Sequence, residues 1–138
     1  MTQPATFDSF IAGLGRQMGV TLDPVPGMVM LDLNGVPFML AHDAETWGDD
    51  AVMFACDFGP LPEYDRSAVL EALLAANGAM HGPGSPVFTL DPNTRHAMSI
   101  LTLPLEGLDP ARTLQTMMRH VAVVNKWQKD YFLEAATA

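Results

Sequence analysis

The chain has 138 residues, the size of one domain, with 49% hydrophobic and only 17% charged residues, a net charge of −9 and a pI near 4.5. Such acidity repels phosphate backbones and anionic lipid heads, which argues against nucleic-acid and membrane partners. One cysteine, Cys56, excludes an internal disulfide and fits a reducing compartment, and residues 1–4 carry neither a basic n-region nor an apolar h-region, so a cytoplasmic location is expected.

A single domain over 1–138 is expected, large enough to fold without metal or disulfide. Its charged fraction lies below the usual value of about 25%, so part of the apolar content is available to face a partner.

Phe7, Phe10, Ile11, Leu14 and Met18 recur at three- and four-residue spacing and predict a first helix over 7–18, capped by Thr6 and ended by Gly19. Asp23-Pro24-Val25-Pro26-Gly27 is a rigid connection. The runs 28–33 and 36–40 flank Asn34-Gly35, a strong hairpin signal, and Pro37 implies an open side on its strand. After a polar loop, 51–58 reads as a third strand stopped by Gly59-Pro60-Leu61-Pro62.

Asp65 is expected to cap a second helix with Val69, Leu70, Leu73 and Leu74 as its apolar residues and Asn77-Gly78 as its end. Strands are expected at 87–90 and 96–105, separated by the turn Asp91-Pro92-Asn93-Thr94. Asp109 and Pro110 open a long third helix reaching about Leu133, with Leu114, Met117, Met118, Val121, Val124 and Gln128 on its inner face. The order helix, three strands, helix, two strands, helix argues for α+β, with the helices on one face of a twisted antiparallel sheet.

The sequence carries few residues arranged for chemistry. There is no phosphate loop, dinucleotide fingerprint or zinc spacing. His42, His81, His96 and His120 are scattered over the predicted elements. Cys56, between Phe54 and Phe58, reads as a small core residue and not a nucleophile. Glu45, Asp49 and Asp50 read as a solvated loop, or as a contact for a basic partner. No catalytic residue, metal or cofactor is expected.

Ten methionines in this length is unusual. Strand alternation sets Val29, Leu31 and Leu33 against Met28, Met30 and Asp32, and Val52, Phe54, Cys56 and Phe58 against Met53 and Asp57. The aspartates mark the outward faces, so Met28, Met30 and Met53 are expected outside, with Met39. Methionine suits surfaces that accept varied apolar side chains. The alternative is that these side chains fill a second core layer or a dimer seam.

The element order, size and acidity together resemble the Tir chaperone (CesT-type) family of class I type III secretion chaperones. The resemblance covers about 7–133. It rests on the opening helix Phe7-Asp8-Ser9-Phe10-Ile11-Ala12-Gly13-Leu14-Gly15, the hairpin at Asn34-Gly35, and the leucine-rich helix from Ala68 to Asn77. The strand pair Val87–Leu90 and Met98–Leu103, followed by a long helix bearing Trp127, completes it. The loop Gly82-Pro83-Gly84-Ser85-Pro86 departs from the pattern.

The resemblance implies a non-enzymatic homodimer that binds the N-terminal segment of a secreted effector without ATP and keeps it soluble and secretion-competent. Effector binding is expected at Leu14, Met18, Met28, Met30, Met39 and Met53. The dimer contact, made in the family by the second helix and the strands after it, is expected at Leu73, Val87, Met98, Ile100 and Leu101. Two other readings stay open: a dimeric binding or regulatory module with a different protein ligand, and a small enzyme or ligand carrier.

Overall fold

The computed structural model describes residues 6–22, 27–42, 51–80, 82 and 85–133. The linker prolines Pro24 and Pro26, the acidic residues Glu45, Asp49 and Asp50, and His81, Pro83 and Gly84 lie outside the described residues. The elements are α1 (Phe7–Met18), β1 (Met28–Leu33), β2 (Val36–His42), β3 (Ala51–Pro60), α2 (Arg66–Ala79), β4 (Val87–Leu90), β5 (His96–Pro104) and α3 (Pro110–Asp130).

Local chemistry explains most boundaries. Thr6 and Ser9 form a reciprocal capping box at the start of α1, and Gly19 ends it in the left-handed conformation. Asn34 and Gly35 both take positive φ, as the tight β1–β2 turn requires, and the Asp32 carboxylate accepts the Gly35 N–H at 2.8 Å. The Asp109 carboxylate accepts the Arg112 N–H at 3.0 Å, with Pro110 opening α3. Asp65 departs from expectation. It precedes α2 with φ 53° and makes no side-chain cap bond, because left-handed backbone turns its carboxylate away from the free N–H groups.

The strands form one antiparallel sheet in the order β1-β2-β3-β5-β4. Pro37 pairs with Asp32 of β1, while the β2–β3 ladder runs from Phe38 to His42, so the missing N–H falls where no β3 partner is required. β3 runs two residues past its expected end through a bulge at Asp57–Gly59. Gly59 takes φ 99° there, its N–H goes to the Asp57 carboxylate at 2.8 Å, and Gln128 of α3 donates to the freed Phe58 carbonyl at 3.0 Å.

One face of the sheet packs on the helices. Val29, Val36, Phe38, Leu40, Val52 and Phe54 are buried there, and Phe10 of α1 meets Phe54 edge to face. α3 contributes Met117, Val121, Val124 and Trp127. Met118, expected in this core, is 41% exposed, because its neighbour Met117 already occupies the inward stripe. Leu14 is expected at a helix edge. It is fully buried at the centre of the α1 stripe, and only Met18 lies at the margin.

Asn77 does not end α2, which continues to Ala79. Its amide accepts the Phe88 N–H at 2.6 Å and donates to the Phe88 carbonyl at 3.0 Å, closing the outer edge of β4. Asn77→Leu keeps the bulk but orphans both backbone groups, and is expected to cost about 1–3 kcal/mol. Urea unfolding of the two proteins measures it. An unchanged midpoint contradicts this role.

Candidate functional site

Side chains alternate along every strand, so the face away from the helices is built by the other half of each strand. The pairing aligns these residues into a row crossing the whole sheet. Met30 stands opposite Met39, Met39 opposite Ala55, Ala55 opposite Ile100, and Ile100 opposite Val87. A second row joins Met28, Ala41, Met53 and Thr102. Both rows are apolar but for Thr102.

Exposure varies along the row. Met30 is 68% and Val87 55% exposed, while Met28, Met39, Met53, Met98 and Ile100 are half-buried among their neighbours. Side chains on a sheet face shelter one another, so half-burial here means lateral contact and not coverage by a helix. Four methionines on β1–β3 form a deformable apolar surface. A third row borders it with charge: Asp57 stands opposite Met98, and its carboxylate meets His96 Nδ1 at 3.1 Å. Asp32 lies on the same side of β1.

The two sheet edges differ. Asn77 covers β4 at Phe88. β1 pairs with β2 on one side, and among the described residues no strand pairs with its other side. An unpaired strand edge is a template for an extended segment, and Met28 and Met30 stand on the edge strand itself.

The residues expected at a dimer contact divide. Leu73 and Leu101 are buried in the core and present no surface to a partner. Val87, Met98 and Ile100 face outward. Leu74, expected with Leu73 among the apolar residues of α2, is 70% exposed; in sequence the two neighbours are indistinguishable.

A second concavity lies between the sheet and α3, a cavity of about 210 Å³ lined by Phe38, Phe54, Cys56, Leu101 and Met117, with His120 among its polar residues. Its one thiol, Cys56, is buried. Burial, and secondarily the Asp57 charge, push the Cys56 thiol up from 9.0 to about 12, while a hydrogen bond with Ser99 acts the other way. The folded chain therefore holds this proton more tightly than the unfolded chain. The resulting stabilisation is complete below pH 9 and is lost as pH rises from there to about 12. The expected slope is on the order of 1 kcal/mol per pH unit. Urea unfolding between pH 8 and 11 is expected to show a steeper alkaline loss for the wild type than for Cys56→Ala; equal slopes contradict it.

The sequence profile of the Tir chaperone protein (CesT) family matches residues 9–128. No curated protein matches the chain in sequence. A chain of the ExsC–ExsE complex superposes with TM-score 0.75 at 18% identity, covering 95% of this chain and 97% of that one. A chain of the HopA1–SchA chaperone–effector complex gives 0.62 at 15% identity, with 91% of each covered. The ExoT–SpcS complex from Pseudomonas aeruginosa gives 0.60 at 17% identity, covering 87% of this chain and 95% of that one. At such identities these superpositions establish a common fold, three helices with an open five-stranded antiparallel sheet.

Proposed function

Because the chain belongs to the Tir chaperone protein (CesT) family, we propose that it is a type III secretion chaperone that holds the N-terminal segment of an effector on the outward face of its sheet. The observation that carries this reading is the methionine surface of β1–β3 beside the open edge of β1. An extended segment can add its backbone to that edge and set alternate side chains among Met28, Met30, Met39 and Met53, with Met18 at the margin of α1. The solved complexes with the same fold include one described as chaperone–effector, which agrees. Nothing in this binding needs ATP or a catalytic group, and the acidic surround keeps the loaded complex soluble. Such work belongs in the cytoplasm, and no described helix is long and apolar enough to cross a membrane.

The test is capture of client by the tagged chain in its own cell, with the bound protein identified and its protected segment mapped by limited proteolysis. The expected result is protection of an N-terminal segment, unchanged when nucleotide is removed. Protection of a folded domain, or release on adding ATP, contradicts the proposal.

The other half of the outward row suits a homodimer. Val87, Met98 and Ile100 face outward on β4 and β5, away from the methionines of β1 and β2. Ile100→Asp places a charge in this seam without touching the core and is expected to give a folded monomer in light scattering with native circular dichroism. Leu101→Asp, pointing inward, is expected to unfold the chain. An Ile100→Asp dimer contradicts this seam.

A further inference from the structure

The solvent side of α3 has a character unlike the rest of the molecule. The chain has 16 acidic residues against 7 lysines and arginines, yet four of those seven lie on α3, with a single carboxylate, Asp130, within the helix. Arg112, Arg119 and Lys126 are each seven residues apart, so they fall on one stripe at steps of about 10.5 Å. All three are exposed and off the buried stripe of Met117, Val121 and Val124, with Arg112 and Arg119 also reaching the rims of the cavities between α3 and the sheet. Among the described residues, none of the three side chains is in an ion pair.

A helix face that serves only solvent carries acids three or four residues from its bases. Here the exposed positions between the cations are Gln115, Met118, Ala122, Val123 and Asn125, with no carboxylate among them. Beside Arg119, Met118 and Leu114 also line an open groove toward Gln17 of α1. Arginine and methionine together, with few competing charges, are the composition of a protein interface.

We propose that this face of α3 is a second docking surface, for an acidic amphipathic helix of another protein. The heptad spacing specifies a helical partner, since carboxylates on the same repeat meet all three cations while apolar residues seat against Ala122 and Val123, which flank the stripe. The net charge of −9 makes the stripe a local exception that selects a compact acidic ligand over an extended polyanion. A second copy of this chain does not fit. α1 and α2 each carry one carboxylate, Asp8 and Glu71, and neither forms an acidic stripe. The surface lies on the opposite layer from the outward sheet face, so it stays free in a client-loaded chaperone. It does not depend on the client reading, and different variants test the two.

The probe is a fluorescent helical peptide of about 20 residues, with Glu at every seventh position and Leu beside each. Anisotropy with the full chain is expected to show binding that weakens as salt is raised. Arg119→Glu with Lys126→Glu is expected to weaken it at least about tenfold, and so is replacing the peptide's leucines with serine. Met30→Glu is expected to leave it unchanged. Equal binding by wild type and the charge-reversed chain overturns the proposal. So does equal affinity for inorganic polyphosphate or phosphatidylglycerol vesicles, which makes the stripe a general anion site.

Discussion

Replacing Trp127 with alanine is expected to destabilise the fold by about 3–5 kcal/mol, the upper range for truncating a buried side chain. The indole is completely buried and meets Phe58 at 5.8 Å and Tyr131 at 4.9 Å, both edge to face. Through Phe58 and Phe88 these rings continue to Phe132, tying the end of α3 to β3 and β4. No smaller neighbour can fill the space left by the ring. Trp127→Phe provides the contrast. Among the described residues the buried indole N–H has no hydrogen-bond partner, and an orphaned donor costs about 1–3 kcal/mol. Phenylalanine removes that penalty while leaving a smaller cavity, so its net loss is expected to be well under half that of alanine. Unfolding midpoints of both variants measure this. Equal losses contradict the orphaned donor, and a near-native Trp127→Ala contradicts the buried ring.

Met30→Glu with Met53→Glu is expected to abolish client retention while the chain stays folded. A disordered segment loses roughly 1–2 kcal/mol of backbone entropy per ordered residue. Backbone pairing along β1 barely offsets that, so buried apolar anchors supply the margin. Each anchor contributes about 1.5–3 kcal/mol, and two lost together weaken binding by about a hundredfold or more. Two carboxylates buried under the segment add to the loss. Both side chains point away from the core, so the circular dichroism spectrum is expected to stay native. Normal client retention by the double variant contradicts the methionine surface.

Much of this was legible in sequence because it depends on local periodicity. Val29, Leu31 and Leu33 against Met28, Met30 and Asp32 is a period-two signal with a charge to mark the outside. The α1 stripe, the Asn34-Gly35 turn and the Asp109-Pro110 start are likewise short-range. What depends on distant partners was not legible. In β5 both faces are apolar, and only the pairing of Leu101 with Phe54 shows that Leu101 faces the core and Ile100 the outside. Leu73 and Leu74 are alike in sequence but take opposite environments. Asn77 looks like a helix end until β4 is brought beside it, and the bulge at Gly59 is supported by Gln128 from the far end of the chain.

Client is expected to lie on the outward sheet face along β1. Hydrogen–deuterium exchange of the chain, free and with its captured client segment, tests it most directly. The largest gain in protection is expected in Met28–Leu33, where an added strand takes up the free edge, with little change in α3. Unchanged exchange in β1, with protection confined to the cavity beneath α3, would contradict it.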